Sequence, residues 1–377
     1  ILLDNGRKAV RERFKEFLYC IGCRVCNAVC PAFFMYERMF EGPRNWLRMF
    51  NEVFGGDGVA VGEERVWACT TCRSCEQRCP LEIGQVSKFI RMREYLVEEG
   101  RVAPAVRDAL RLTFLHGNPW GRSRAKRDEW AAGLDVERFS GHEILYYVGC
   151  MASYDRRCQE IARSLSKIFK AAGVSFGILG REETCCGAEM RRMGESGLFE
   201  ELASLNKEVF MEAGVRKIVT TSPHCFNTFK NEYDGDFEVL HYTQFLADLI
   251  DKLEFKKELN CRVTYHDPCY LGRYNSIYEE PRRILKAIPG VELVEMEANR
   301  ENSFCCGGGG GHMWIEWPRR PRPSEIRVEQ AVETGAEVLA VACPFCLSMF
   351  DDAVKTLGYE DKLRVKDISE LVAESLM

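Results

Sequence analysis

Cys269, Cys305, Cys306, Cys343 and Cys346 offer five thiols from three separated segments, and adjacent cysteines such as Cys305 and Cys306 fit one tetrahedral zinc site only with strain. Thiolates in that number suit soft metals and iron–sulfur clusters. The glycine run Gly307–Gly311 follows directly, and a backbone without Cβ atoms lets the chain approach a bulky inorganic core. The stretch reads as a cluster socket, with the five cysteines as metal ligands and Gly307, Gly308 and Gly309 as a cofactor-binding backbone; a structural zinc site is the alternative. His266 and Asp267 precede Cys269, and His312 closes the glycine run. Each is a candidate proton shuttle near neutral pH, against the plainer reading of structural histidines and a helix-capping aspartate.

The pattern occurs twice. The steps from Cys150 to Cys269, from Cys185-Cys186-Gly187 to Cys305-Cys306-Gly307 and from Cys225 to Cys346 are 119, 120 and 121 residues, which marks a duplicated unit. Ser222 stands where the second copy has Cys343, so the first copy reads Ser222-Pro223-His224-Cys225 and lacks one ligand. Its remaining thiols, Cys150, Cys185, Cys186 and Cys225, suffice for an iron–sulfur cluster or a tetrahedral zinc; an empty structural fold is the third reading.

Two further runs lie near the amino terminus, Cys20-x-x-Cys23-x-x-Cys26-x-x-x-Cys30-Pro31 and Cys69-x-x-Cys72-x-x-Cys75-x-x-x-Cys79-Pro80. In such runs three thiols serve one cubane, and the fourth, before proline, serves the other. The expected sets are Cys20, Cys23, Cys26 and Cys79 for one [4Fe-4S] cluster, and Cys69, Cys72, Cys75 and Cys30 for its neighbour. A pair of zinc knuckles is the weaker alternative. Four thiolates saturate a cubane, which suits outer-sphere electron transfer. Cys158 and Cys261 fall outside every motif and read as buried thiols.

The elements that must position these ligands change character along the chain. Residues 7 to 19 have helical apolar spacing, an aromatic-rich connection from Ala32 to Ala68 reads as packing over the clusters, and a helix is expected from Gln85 to Glu99. From Gly100 to Gly141 periodicity is lost, and Arg122, Arg124, Lys126 and Arg127 read as a solvated linker face or a docking patch for an acidic partner. Beyond Glu143, strands and helices alternate: Ile144–Val148 before Cys150, Val215–Thr221 before Ser222, Arg262–His266 before Cys269 and Glu337–Ala342 before Cys343. A helix through Ile161, Leu165 and Phe169, closed by Gly173, follows the first of them. The outer ligands thus lie just past the carboxyl ends of buried parallel strands, where open α/β sheets bind ligands. Arg319, Arg320 and Arg322, interleaved with prolines, form a stiff basic loop that suits carboxylate or phosphate recognition or simple exposure.

A chain of 377 residues with 46% hydrophobic content can bury a sizeable core, and its net charge of −5 implies neither nucleic-acid binding nor a polyanionic tail. The nineteen cysteines are an odd number in short C-x-x-C spacings with no recognisable signal peptide, which points to a reducing cytoplasm and not to disulfides.

The lone cysteine, the Cys-Cys-Gly and the Cys-Pro-x-Cys, duplicated and preceded by the dicluster motifs, resemble the cysteine-rich CCG domains of the B and D subunits of heterodisulfide reductase and of related iron–sulfur oxidoreductases. The resemblance covers nearly the whole chain and implies a multi-domain α+β architecture. A mainly helical 2x[4Fe-4S] ferredoxin domain spans 1–99, a connector 100–141, and two duplicated α/β CCG domains with Rossmann-like parallel sheets span 142–255, degraded at Ser222, and 256–377, complete. It further implies a noncubane [4Fe-4S] cluster on Cys269, Cys305, Cys306, Cys343 and Cys346 as reactive centre, with His266 beside it, besides the two cubanes and an iron–sulfur cluster or zinc at the first copy. With its degraded first copy, the chain resembles the D type more than the B type. The expected function is an electron-transport oxidoreductase subunit that passes single electrons through the cubanes to or from a site acting on a thiol or disulfide. The alternative is an electron-transfer subunit linking a flavoprotein dehydrogenase (lactate, glycolate, glycerol-3-phosphate or acyl-CoA through an electron-transfer flavoprotein) to membrane quinone. Expected partners are a membrane protein similar to cytochrome b or a flavoprotein, and no nucleic acid. The expected location is the cytoplasmic face of the membrane, reached through a partner or an upstream segment, since the chain opens on Ile1 and not on Met.

Overall fold

Two four-stranded parallel sheets carry the second part of the chain in the computed structural model, which describes residues 19–36 and 66–376. The first sheet contains β1 (Ile144–Tyr147), β2 (Phe176–Gly177), β3 (Lys217–Thr220) and β4 (Glu238–His241) in the order β2-β1-β3-β4. The second contains β5 (Cys261–Tyr265), β6 (Val291–Val294), β7 (Val338–Val341) and β8 (Arg364–Asp367) in the order β6-β5-β7-β8. One strand order repeated after about 120 residues is the structural form of the duplication read from the cysteines. The central strands are the four found in the sequence; β1 and β7 are buried along their whole length and continuously apolar, and β3 and β5 are buried except at Lys217 and Arg262. The edge strands β2, β4, β6 and β8 escape that reading because they are short or partly exposed and lack the apolar run.

The order places a topological switch point between β1 and β3, and another between β5 and β7, which is where such sheets open a crevice at their carboxyl ends. Cys150 follows β1, Ser222 and Cys225 follow β3, Cys269 follows β5, and Cys343 and Cys346 follow β7.

The repeats pack reciprocally. Helix Arg156–Ala171 of the first lies on the last helix, Ile368–Leu376, of the second, and its counterpart Glu279–Ala287 lies on helix Tyr242–Leu249 of the first. This exchange is what an approximate two-fold relation produces. Asp155 caps helix Arg156–Ala171 by accepting from Cys158 N at 2.9 Å, and Gly173 leaves the helix with φ of 68°. Ile161, Ala162, Leu165, Ile168 and Phe169 form its buried stripe. Across the repeat boundary Arg157 pairs with Glu370 at 2.8 Å, and the Tyr242 hydroxyl donates to Asp367 Oδ1 at 2.7 Å.

Asp367 is fully buried, and burial pushes its carboxyl up to about 7 against hydrogen bonds from Ser369 and Tyr242 that lower it. Between about pH 4 and 7 the folded state then keeps a proton that the unfolded chain has lost, so stability should fall as pH rises through that window and stay lowered above it. Asp367→Asn should flatten this slope, gaining on the order of 3 kcal/mol relative to the parent at pH 8 over its standing at pH 5. Anaerobic denaturation at the two pH values measures it; an unaltered slope in the variant would refute the assignment.

The amino-terminal unit is built from short helices, Val25–Ala28, Pro31–Tyr36 and Ser74–Gln77, and the long helix Val86–Glu98. Its two motif loops repeat the same backbone path, with left-handed residues at Gly22 and Arg24 and, 49 positions on, at Thr71 and Arg73. The helix expected over residues 7 to 19 and most of the aromatic connection before Ala68 lie outside the described residues. The segment from Gly100 to Gly141 is more ordered than a linker: it holds helix Pro104–His116, with Pro at its start and Gly117 at its end, and two short 3₁₀ turns.

Candidate functional site

All nineteen cysteines are free thiols, and seventeen of them fall into four groups. Cys26 lies among Cys20, Cys23 and Cys79, while Cys30 and Cys75 lie with Cys69 and Cys72. The structure thus brings each fourth cysteine to the other run's three. The first repeat gathers Cys150, Cys185, Cys186 and Cys225, with Cys186 and Cys225 sulfurs 3.3 Å apart and Cys150 hydrogen-bonded to Cys185. The second gathers Cys269, Cys305, Cys306, Cys343 and Cys346, with Cys306 and Cys346 sulfurs 3.4 Å apart and Cys269 hydrogen-bonded to Cys305. All five of the latter are buried. Buried sulfurs crowded to contact without a disulfide are a donor set made for a soft metal group, so the residues present fit iron–sulfur clusters.

Helix Pro344–Leu357 begins at Cys343 and contains Cys346 in its first turn, so both sulfurs lie at the positive end of a long helix. Burial pushes Cys343 up, but hydrogen bonds from Cys346 and His224 outweigh it and hold the thiol at about 5. Hydrogen bonds from Cys305 and Cys346 likewise hold Cys306 at about 5 despite burial. The hydrogen bonds at Cys343 and Cys306 thus favour the thiolate, the form in which cysteine binds a metal. In the first repeat the corresponding helix, Pro223–Asn231, is capped by Ser222, whose Oγ accepts from His224 N at 3.2 Å. Serine there supplies a helix cap that Cys343 does not. A cavity of ≈ 40 Å³ opens beside this first socket, lined by its four cysteines, His224 and Trp314.

The second socket is locked to the amino-terminal unit. Cys72 hydrogen-bonds Cys305 through its side chain, and Thr70 Oγ1 lies 3.9 Å from the Cys305 sulfur. Arg273 donates to Cys72 O and to Ser303 O, both at 2.7 Å, and Tyr274 donates to Thr71 O at 2.7 Å. The glycine run completes the contact: a Cβ at Gly309 would lie 2.7 Å from Thr70 O, and one at Gly310 would lie 2.4 Å from Cys69 O. Gly307 N donates to Cys305 Sγ at 3.4 Å. The freedom from side chains anticipated for a bulky ligand is thus used at Gly309 and Gly310 by the backbone of a neighbouring motif loop.

His266 has a ring nitrogen within 4.8 Å of the Cys306 and Cys346 sulfurs. Burial and the nearby Arg327 and Arg273 charges drive its pKa well below the ordinary value. Arg327 Nε donates to its Nδ1 at 3.2 Å, which leaves the ring proton on Nε2. His266 is thereby held in one tautomer beside the second socket. Asp267 forms a buried pair with Arg282 at 2.6 Å and accepts from Arg300 N. His312 stacks on Trp317 at 4.0 Å and bonds Ala68 O, facing the amino-terminal unit. Arg320 and Arg322 are committed to Glu325, and Arg322 also to Asp352.

Arg127 corrects the reading of its segment as a solvated face. It is buried, pairs with Glu183 at 2.7 Å and donates to Cys150 Sγ at 3.4 Å. Glu183 also accepts from Val148 N and Gly149 N, fixing the turn that delivers Cys150. Arg93, Arg127 and Arg273 each place a buried guanidinium near cysteine sulfur, and none has a motif that announces it. Glu189 and His224 were equally silent, although the change from Cys-Pro-Phe-Cys to Ser-Pro-His-Cys was a visible signal.

Family models match in three places: a 4Fe-4S dicluster domain over residues 16–83 and a cysteine-rich domain over 144–230 and again over 263–351. The chain is 44% identical to a probable iron-sulfur-binding oxidoreductase FadF of Bacillus subtilis over 85% of its length and 48% of that protein. It is 38% identical to an EtfAB:quinone oxidoreductase of Syntrophomonas wolfei over 84% of its length and 47% of that protein. It is 33% identical to the D subunit of a dihydromethanophenazine:CoB–CoM heterodisulfide reductase of Methanosarcina barkeri, over 95% of its length and 93% of that protein. The chain therefore spans about half the length of the first two relatives. Among the described residues no helix is long and apolar enough to cross a membrane.

Proposed function

Because the chain belongs to the family of iron–sulfur oxidoreductases that includes the D subunit of heterodisulfide reductase, we propose that it relays single electrons between a flavoprotein partner and a quinone-linked membrane partner, with no substrate bond broken at the second socket. An iron–sulfur cluster supplies one-electron redox chemistry when bound. The observation that carries the reading is the enclosure of the second socket: its five cysteines are buried, and Thr70 and Cys69 backbone fills the space beside Gly309 and Gly310. Burial among the described residues restricts the access of a bulky thiol to these sulfurs, whereas the Cys72–Cys305 contact makes a short path for electrons between the amino-terminal unit and the second repeat.

On this reading the residues of the chain have distinct tasks. Cys20, Cys23, Cys26, Cys79 and Cys30, Cys69, Cys72, Cys75 hold two cubanes. Cys269, Cys305, Cys306, Cys343 and Cys346 hold a noncubane cluster, and Cys150, Cys185, Cys186 and Cys225 a further cluster or zinc. Arg273 balances thiolate charge at the junction, and His266 donates a hydrogen bond from its fixed tautomer.

Thiol or disulfide chemistry is the second reading, favoured by the cavity at the first socket and by the name of the Methanosarcina relative. Anaerobically purified protein separates the two. Iron above the roughly eight atoms of two cubanes is expected, with rapid electron exchange with a reduced electron-transfer flavoprotein and a quinone analogue and a spectrum unmoved by added thiol. A new paramagnetic signal on adding thiol under oxidising conditions, lost in Cys186→Ala of the first socket or in Cys306→Ala of the second, would defeat the relay in favour of the reductase.

A further inference from the structure

His224 occupies the position that Phe345 holds in the second repeat, and the two rings meet across the repeat boundary with centroids 4.6 Å apart. Tyr270 of the second repeat lies against the same imidazole at 4.3 Å. His224 is buried and held on both sides: Nδ1 is 3.0 Å from Glu189 Oε1, and the ring also hydrogen-bonds the Cys343 side chain. Glu189 accepts the Gly311 N–H through Oε2 at 2.9 Å. A carboxylate has no hydrogen to give, so Nδ1 is the donor to Oε1; a ligating thiolate has none either, so Nε2 is the donor to Cys343, and the ring between these two acceptors carries both protons. The connection therefore runs from the glycine run of the second repeat, through Glu189 and His224 of the first, and back to a thiol of the second. Phenylalanine at 224 would supply neither bond, and the first socket receives no equivalent from Phe345.

We infer that His224 is a positioning residue of the second socket, anchored by Glu189, whose Nε2–H donates to the Cys343 sulfur and raises the reduction potential of the cluster held there. The inference rests on the proposed reading that Cys343 is a cluster ligand. Hydrogen bonds to ligating sulfur are among the factors that set cluster potentials, because they stabilise the more electron-rich reduced state. The loop that lost a cysteine thus serves the other repeat's site, which makes the two sockets unequal in potential as well as in ligand number.

Redox titration of the anaerobically purified protein, followed by paramagnetic resonance with iron measured on every sample, tests this. His224→Phe should shift the second-socket cluster to a lower midpoint potential, changing its reduced-to-oxidised ratio at fixed potential about tenfold, or about 59 mV for one electron, while both cubane signals stay in place. His224→Gln, whose amide N–H can be offered to the same sulfur, should recover part of the shift. Glu189→Gln should give a smaller shift in the same direction. Unchanged potentials in His224→Phe and Glu189→Gln, with the cluster present, overturn the inference and leave the cluster assignment standing. Iron in the parent sufficient for the two cubanes alone overturns the assignment itself. Should His224→Phe not retain the cluster, Glu189→Gln decides: a lowered potential upholds the inference and an unchanged one overturns it.

Discussion

Arg93→Met should destabilise the protein by about 4 kcal/mol or more and loosen the amino-terminal unit from both repeats. Arg93 projects from helix Val86–Glu98 and is fully buried. Its guanidinium donates to Val66 O, Trp67 O and Cys69 O of its own unit, at 3.0, 3.2 and 2.6 Å, and to Arg192 O and Gly310 O of the two repeats, at 2.8 and 3.1 Å. Hydrogen bonds to charged groups contribute about 1.5–3 kcal/mol each, and a buried acceptor left without its donor costs about 1–3 kcal/mol. Water can replace only some of the five. Lysine has three donors on one nitrogen and cannot span the same fan of carbonyls, so Arg93→Lys should recover less than half of the loss. Anaerobic chemical denaturation, with limited proteolysis between residues 99 and 141 as a readout of uncoupling, is the measurement. A variant within about 1 kcal/mol of the parent, inside the range of ordinary surface changes, would show that the carbonyl fan is not what joins the three parts.

Glu183→Ala should cost about 3–5 kcal/mol, the usual penalty for removing one member of a buried ion pair. It strands the Arg127 charge and leaves the Val148 and Gly149 N–H groups without their acceptor. Because those groups shape the turn before Cys150, metal at the first socket should be lost while the second socket keeps its own. Replacing both partners, as Arg127→Met with Glu183→Leu, should be less harmful than Glu183→Ala alone, since no buried charge then remains unpaired. Metal analysis beside denaturation distinguishes the two sockets. A single variant no less stable than the double would remove the ion pair from the account of how Cys150 is held.

Covalent spacing carried much of this protein into view before any folding was considered. Thiol runs with fixed gaps declare their clusters, because a cubane demands ligands within a few ångströms whatever surrounds it. A repeat of about 120 residues declares a duplicated fold, and a continuously apolar strand ending at a ligand declares a buried sheet with its site at the carboxyl edge. The central strands β1, β3, β5 and β7 were legible on those grounds. The edge strands were not, since Glu238–His241 or Arg364–Asp367 become strands only through pairing with a neighbour.

What the tertiary structure alone decided lies between units. Arg93, Arg127 and Arg273 look in sequence like the many surface arginines of a charged chain, and only burial against carbonyls, carboxylate and sulfur distinguishes them. The use of Gly309 and Gly310 was hidden for a similar reason: a missing Cβ says that something comes close, but that it is the backbone of Thr70 and Cys69 depends on how two distant segments dock. His224 reaches Cys343 across 119 residues of chain because the reciprocal packing of the repeats sets the two loops face to face. Local spacing fixes which atoms can bind a metal, whereas long-range packing fixes which charges and hydrogen bonds those atoms feel.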